Sequence, residues 1–315
     1  MKKLALKGML FCTIIIGMIT MVLLLSAKEP LRSLLASWTK STEYMEQNEM
    51  IPIFDQGVKQ DGTRQLVIGD SICRQMFSGL GKYNKQTSFL GTNAALMISG
   101  QYLLAKEYIE AHPEATDVFL IMHPLTIIRT FDTEWSYRYA VMTYVETNTI
   151  EHLDQNTIDI MADVYGTFFM QEGIVQLIED SPICRKLYLS HMSLNGSDYV
   201  QSSSFEIADQ YVKKLYDLCQ ENQVELHFYS SPVAEYYREE MEELAIEYEG
   251  TWMSTKYPDY MKDIWFYPSE WSEDLSHFSG EYAERKRLNE TIEQAYGQTE
   301  LLKKIKLRLQ SVVGQ

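Results

Sequence analysis

Residues 66–72 have the sequence Leu-Val-Ile-Gly-Asp-Ser-Ile, and the rest of the chain is best understood from this stretch. Its first three residues are apolar, and valine and isoleucine suit a buried strand of a parallel sheet. The run stops at Gly69-Asp70-Ser71, and a segment typical of a short helix follows, ending near Gly79 or Gly81. The stretch therefore predicts a strand over residues 65–70 that brings Ser71 to the edge of a sheet, at the start of a helix.

Strands and helices alternate along the chain after this stretch. Residues 94–111 have apolar positions at helical spacing, and His112-Pro113 ends that helix. Alternation of this kind predicts βαβ units and a parallel sheet, hence an α/β fold. Further strands are predicted at residues 87–91, 117–124 and 224–230, with a fifth within 263–267.

Residues 127–200 break the alternation and are rich in helix-like patterns and aromatic side chains. An insertion of this size in an α/β fold often forms a cap beside the carboxyl ends of the strands, where ligands bind. Additional helical packing, with the aromatic side chains as ordinary core, is the other interpretation. The sequence predicts a helical insertion and leaves these two interpretations open.

The N-terminal region has the pattern of a membrane anchor. Lys2, Lys3 and Lys7 precede an uncharged run over residues 9–25, which with its flanks is long enough to cross a bilayer. The lysines predict a cytoplasmic N-terminus, so the remainder of the chain would be exported. A cleaved signal peptide is the alternative, but its apolar region is usually about 7–15 residues, and the longer run favours an uncleaved anchor.

These observations divide the chain into five predicted parts. Residues 1–7 form a basic cytoplasmic N-terminus, residues 8–27 a transmembrane anchor, and residues 28–64 a stalk. Residues 65–298 form the α/β domain with its insertion, and residues 299–315 form a basic amphipathic tail. The tail is either a surface helix or a segment that lies on anionic lipid.

Composition excludes several classes of partner. With 28 basic and 44 acidic residues the formal net charge is −16, and phosphate backbones bind to clustered Lys and Arg, so no nucleic-acid partner is predicted. The four cysteines show no Cys-x-x-Cys spacing and no nearby His pairs, so no zinc site is predicted. No other metal and no cofactor are predicted. Cys184 and Cys219 could form a disulfide in an exported domain.

Ser71 has a candidate partner about two hundred positions later, in Asp274 and His277. A serine hydroxyl becomes a good nucleophile when a histidine removes its proton, and a carboxylate orients that histidine and supports its charged form. The three-residue spacing lets one turn place Asp274 against the His277 ring. Backbone N–H groups at the helix start, such as that of Ser71, can stabilise a developing oxyanion. The alternatives are a helix N-cap serine and a loop histidine paired only with Asp274.

Three segments together resemble the SGNH/GDSL hydrolase superfamily. They are Gly-Asp-Ser-Ile at residues 69–72, the glycine turn after the second strand, and Asp-Leu-Ser-His-Phe-Ser-Gly at residues 274–280. The resemblance spans roughly residues 65–296 and implies a three-layer, flavodoxin-like parallel sheet with helices on both faces. It implies Ser71 as nucleophile, Asp274 and His277 as the rest of the triad, and the Gly91 N–H as a second oxyanion donor beside that of Ser71.

The third motif of the superfamily is not present. Its members usually have Gly-x-Asn after the third strand, with the Asn side chain helping to hold the oxyanion, whereas this chain continues as Met122-His123-Pro124. Either His123 or Asn93 takes that role, or the oxyanion is held less strongly. His123 could also be a core histidine. The departure resembles divergent, membrane-tethered members that are linked to acylation of cell-envelope polymers.

The sequence therefore predicts an extracytoplasmic, single-pass membrane protein with a serine esterase or O-acyltransferase domain. An acyl-serine intermediate is expected, with an acylated envelope polysaccharide or a teichoic-acid-like polymer as substrate and a membrane-embedded acyl donor as partner. The alternative is a non-catalytic envelope protein that binds a glycan or a partner. A phosphoester hydrolase is a third and weaker possibility, because the sequence shows neither a metal-ligand cluster nor a Gly-rich phosphate loop.

Overall fold

The computed structural model describes residues 2–39, 49–79, 87–269, 272 and 277. The chain divides into two compact units, each described by itself below. The helical unit comprises Met1–Asn48 and Phe131–Tyr199, and the α/β unit comprises Glu49–Thr130 and Val200–Gln315. Asp274 and the predicted tail at residues 299–315 lie outside the described residues.

The elements of the described residues follow in chain order. The strands are β1 (Gln65–Gly69), β2 (Thr87–Gly91), β3 (Asp117–Met122), β4 (Glu225–Ser230), β5 (Val233–Ala234) and β6 (Phe266–Tyr267). The helices are α1 (Lys2–Ser26), α2 (Leu31–Thr39), α3 (Ile51–Gly57), α4 (Ser71–Gly79), α5 (Met97–Ala111), α6 (Pro124–Ile127), α7 (Met142–Glu146), α8 (Gln155–Tyr165), α9 (Glu172–Asp180), α10 (Pro182–Asn195), α11 (Glu206–Glu221), α12 (Arg238–Tyr248), α13 (Trp252–Lys256) and α14 (Asp259–Lys262).

The α/β unit is built on a parallel sheet with the strand order β2-β1-β3-β4. Every residue of β1 and β3 is buried, as expected for the two central strands of a parallel sheet. Helix α5 packs against β1, α3 and α11, and α4 packs against β1 and β2. The predicted α/β fold with a parallel sheet is therefore confirmed, and the first four predicted strands lie where the apolar runs indicate.

The predicted fifth strand differs from the expectation. Strand β6 is two residues long and pairs in parallel with β5, in a separate two-stranded ladder. Pro232 lies between β4 and β5 and has no N–H to donate, so the backbone ladder is interrupted there. Among the described residues, the four-stranded sheet ends at β4.

The segment predicted to be a stalk contributes to the α/β unit. Met50, directly before α3, and Phe54 within it are buried, and α3 packs against β2 and α5. A side chain at Gly57 would approach Leu104 to 3.0 Å, so glycine allows close contact between α3 and α5. The α/β unit therefore begins before Gln65, because α3 packs against α5 and β2 of that unit.

The helical unit combines the N-terminal helix with the insertion. Helix α1 is apolar enough to cross a membrane over Met9–Ser26, with a mean hydropathy of 2.5, and a signal sequence would pass the same test of length and composition. The buried hydroxyl of Ser26 hydrogen-bonds that of Ser181 just before α10, and α2 also contacts α10. The insertion is helical, as predicted.

Most aromatic side chains of the insertion form its core. Tyr137 and Tyr188 stack with ring centroids 4.1 Å apart, and Tyr144 and Tyr165 are also fully buried. The hydroxyls of Tyr165 and Tyr188 donate to the backbone oxygens of Asp132 and Thr133, so burial leaves them hydrogen-bonded. This packing accounts for these aromatic residues without a ligand.

All four cysteines are free thiols, so the disulfide considered between Cys184 and Cys219 is not formed.

Candidate active site

The turn between β1 and α4 is fixed by close backbone contacts. Gly69 has a φ of +155°, and a Cβ at this position would lie only 1.8 Å from the backbone oxygen of Ile121. The Gly69 oxygen accepts hydrogen bonds from the Thr92 N–H at 2.8 Å, the Thr92 hydroxyl at 2.9 Å and the buried Gln101 amide at 3.1 Å. Only glycine fits here, and the turn that places Ser71 is held from β2, β3 and α5.

Asp70 is the central polar residue of this turn, and sequence reasoning assigned it no role. Its fully buried carboxylate accepts from the N–H groups of Ile72 at 3.0 Å and Cys73 at 3.1 Å through Oδ1. Its Oδ2 accepts from the His123 N–H at 2.8 Å. Asp70 therefore caps α4 and joins the end of β1 to the end of β3. An acidic residue directly before a predicted helix start was the available signal.

Ser71 and His277 are brought together although they are 206 positions apart. The distance between Ser71 Oγ and His277 Nε2 is 2.8 Å, and both residues are partly exposed. The Ser272 hydroxyl donates to the backbone oxygen of His277 at 3.0 Å. Asp274 is not among the described residues, so its part in a triad stays a prediction.

The start of α4 carries a serine hydroxyl and a backbone amide that the Asp70 side chain does not engage. Asp70 engages the amides of Ile72 and Cys73, and the amide of Ser71 is the one at this helix start that Asp70 does not bind. Burial raises the pKa of the Cys73 thiol well above its ordinary range, and the Asp70 carboxylate raises it further. Cys73 is therefore a protonated core thiol, and Ser71 is the nucleophile-type side chain at this position.

Gly91 and Asn93 lie at the end of β2, beside the same helix. A Cβ at Gly91 would lie 2.7 Å from the backbone nitrogen of Arg74, so glycine is required for β2 to approach α4. Because Thr92 N–H donates to β1, the alternation of a parallel ladder points the Gly91 N–H away from β1. The Asn93 side-chain oxygen accepts from the Ala95 N–H at 2.9 Å and caps a short turn. Their predicted oxyanion roles stay predictions.

His123 follows β3 and is only 3% exposed. Its Nδ1 accepts from the Leu125 N–H at 3.1 Å and caps α6, while its buried Nε2 has no hydrogen-bond partner in the described part of the chain. Burial lowers the pKa of His123 to about 4, the nearby Asp70 carboxylate opposes this shift, and the positive form of His277 adds to it. The ring is therefore neutral at ordinary pH, with its proton on Nε2.

A second polar cluster lies at the opposite, amino-terminal ends of β3 and β4. Asp117, Glu225 and His227 are the described residues whose ligand atoms are close enough to hold a metal ion. The Asp117 carboxylate already accepts from His227 Nε2 at 2.9 Å and from the Thr116 hydroxyl at 2.8 Å. These contacts describe a hydrogen-bonded network across the strands, remote along the sheet from Ser71.

Comparisons with protein-family models, with curated proteins and with solved structures found no match to this chain. The residues and their geometry are therefore the basis for the function proposed below.

Proposed function

We propose that this chain is a membrane-anchored serine esterase or O-acyltransferase of the SGNH type, acting outside the cytoplasm through an acyl-serine intermediate. The observation that carries the proposal is the 2.8 Å contact between Ser71 Oγ and His277 Nε2. It lies at the carboxyl ends of parallel strands, where α/β folds bind their ligands. The strand order β2-β1-β3-β4 also fits the first four strands of a flavodoxin-like sheet.

The proposed chemistry has two balanced half-reactions. His277 Nε2 accepts the Ser71 proton as Oγ attacks the ester carbonyl, and the carbonyl oxygen becomes an oxyanion held by the Ser71 amide. Collapse breaks the ester C–O bond, and His277 returns the proton to the leaving alcohol. Water or a sugar hydroxyl then attacks the acyl-serine with His277 as base, which releases an acid or a new ester. Asp274 is proposed to orient His277.

The substrate class follows from the anchor and the motif resemblance together. If α1 spans the membrane with its lysine-flanked end inside, the site faces the cell envelope. We therefore propose an ester of an envelope polysaccharide or of a teichoic-acid-like polymer as substrate. Transfer, as opposed to hydrolysis, requires an acyl donor, which we expect to be a membrane-embedded partner.

A fluorophosphonate probe tests the nucleophile on the full chain in mild detergent. We expect covalent labelling of the wild type, loss of labelling in Ser71→Ala, and strongly slowed labelling in His277→Ala because the base is absent. Ser203→Ala, which changes an exposed serine, should label like the wild type. Labelling that persists unchanged in Ser71→Ala would remove Ser71 from the mechanism.

An acetyl ester separates the enzyme from a binding protein. Turnover that depends on Ser71 and His277 supports catalysis, and its partition between acetate and an acetylated sugar acceptor distinguishes hydrolysis from transfer. A wild type without labelling and without turnover, which still binds an envelope glycan, would favour the non-catalytic alternative.

A further inference from the structure

His123 lies beside Ser71 at the carboxyl edge of the sheet. Strands β1 and β3 are paired in register with Gly69 opposite Ile121. In the sequence, Ser71 comes two residues after Gly69 and His123 two residues after Ile121, just past the ends of the two strands. The His123 N–H donates to Asp70, the residue directly before Ser71, so the two ends are physically joined. The influence of His277 on the pKa of His123 agrees with this proximity.

The two ring nitrogens of His123 are in different states. Nδ1 accepts a hydrogen bond from the Leu125 N–H, so Nδ1 carries the lone pair and the ring proton is on Nε2. This Nε2–H is buried and has no acceptor among the described residues. A buried donor without a partner costs free energy, and a site that binds an acceptor during its reaction can use such a donor.

The charge state of His123 suits a hydrogen-bond donor and does not suit a base. Within the described part of the chain, the titratable groups that act on or face the ring are Asp70, His277 and Tyr237, whose ring centroid lies 6.3 Å away edge-on. When His277 takes the serine proton it becomes positive, which further disfavours a second positive charge on His123. His123 therefore remains a neutral N–H donor throughout the proposed reaction, as a neutral imidazole can when it polarises a carbonyl.

We propose that the Nε2–H of His123 donates to the oxyanion formed on Ser71, in the place of the asparagine that the superfamily carries after its third strand. This inference rests on the function proposed above. The side-chain NH2 of Asn93 is the other candidate donor, since its cap of a turn uses only the side-chain oxygen. We favour His123 because its Nε2–H is buried and has no acceptor among the described residues. The Ser71 amide and His123 then approach the reacting carbonyl from β1 and β3.

Two substitutions with side chains of similar length distinguish the Nε2–H donor of His123 from its role as the cap of α6. His123→Gln and His123→Met both lose the Nδ1 acceptor for Leu125, so both should destabilise the protein to a similar extent. Glutamine extends an amide N–H about as far as Nε2 and methionine extends none. We expect His123→Met to lower kcat for a chromogenic acetyl ester about 100-fold with little change in KM, and His123→Gln to recover at least tenfold of that loss.

The outcomes distinguish this inference from the proposed function. Equal kcat values for the two variants at equal thermal stability, or a wild-type kcat in His123→Met, would overturn the role of His123 while Ser71-dependent turnover stands. A wild type with no Ser71-dependent labelling or turnover would overturn the proposed function, and the inference with it. A kcat difference between the variants that follows the amide donor supports both.

Discussion

Replacing Asp70 with asparagine should damage both stability and reactivity, because one acceptor at the centre of the site becomes a donor. Asparagine is about as good an N-cap as aspartate, so its oxygen can still accept from the amides of Ile72 and Cys73. The side-chain NH2 would then face the His123 N–H, which now donates to Oδ2 at 2.8 Å. The substitution therefore breaks the connection between β1 and β3 and leaves the cap of α4 in place.

The expected loss in the free energy of unfolding is about 2–4 kcal/mol. A hydrogen bond to a charged acceptor contributes about 1.5–3 kcal/mol, and a buried donor left unsatisfied costs about 1–3 kcal/mol, with the two terms partly overlapping. Asp70→Ala removes the cap as well, which adds about 1 kcal/mol. The difference between the two variants thus separates the cap from the strand connection.

Urea unfolding of the full chain in mild detergent measures the loss of stability in Asp70→Asn, with the midpoint compared at constant m-value. Hydrogen exchange of residues 65–72 assigns the change to the α/β unit. The rate of fluorophosphonate labelling measures the reactivity of Ser71. We expect this rate to fall in Asp70→Asn because Ser71 moves relative to His277.

Asp154→Asn is a matched control for Asp70→Asn. Asp154 caps α8 by accepting from the Thr157 N–H at 3.0 Å and the Thr157 hydroxyl at 3.1 Å, and it is partly exposed. We expect a change below about 1 kcal/mol there. Wild-type stability and wild-type labelling in Asp70→Asn would refute the view that Asp70 connects the two strand ends.

Three further substitutions should change stability: one lowers it through steric overlap, and two alter its dependence on pH. Gly91→Ala should lower stability by about 1–3 kcal/mol in urea unfolding, because the new Cβ would overlap the Arg74 backbone. Burial lowers the pKa of His123 from 6.5 to about 4, so the folded protein resists protonation of this ring. The free energy of unfolding should therefore fall by about 3 kcal/mol as the pH is lowered from 6.5 to 4. His123→Gln should remove this pH dependence. Burial and the Glu179 carboxyl raise the pKa of Glu146 to about 8, so its contribution to the free energy of unfolding is lost as the pH rises from 4.5 towards 8. At pH 9, Glu146→Gln should therefore unfold at a higher temperature than the wild type.

Each of these has a control of the same chemistry. Gly173→Ala, in open space on α9, should be neutral or stabilising, and an equal loss there would discredit the overlap at Gly91. His191→Gln changes an exposed histidine and should keep the acid dependence, and if it flattens the profile His123 is not the source. Glu151→Gln changes an exposed carboxylate, and a similar gain at pH 9 would contradict a specific role for Glu146.

Local sequence patterns determined the elements of this protein. Short stretches rich in apolar and aromatic side chains predicted β1, β3 and β4 within a residue or two, since strand formation follows from side chains that suit a buried pleated surface. The Gly-Asp-Ser turn placed Ser71 at the first residue of α4, because capping and glycine effects act over a few neighbouring residues. The N-terminal apolar helix and the helical insertion were likewise visible in the sequence.

The contacts between distant residues are visible in the three-dimensional structure and not in the sequence. The 2.8 Å contact between Ser71 and His277, the bond from Asp70 to the end of β3, and the uncommitted Nε2 of His123 depend on strand order and register. Those follow from the packing of the whole α/β unit, where burial and hydrogen-bond satisfaction are shared among distant segments. A sequence pattern can propose a serine and a histidine, but the distance between their side chains is set by all the elements that lie between them.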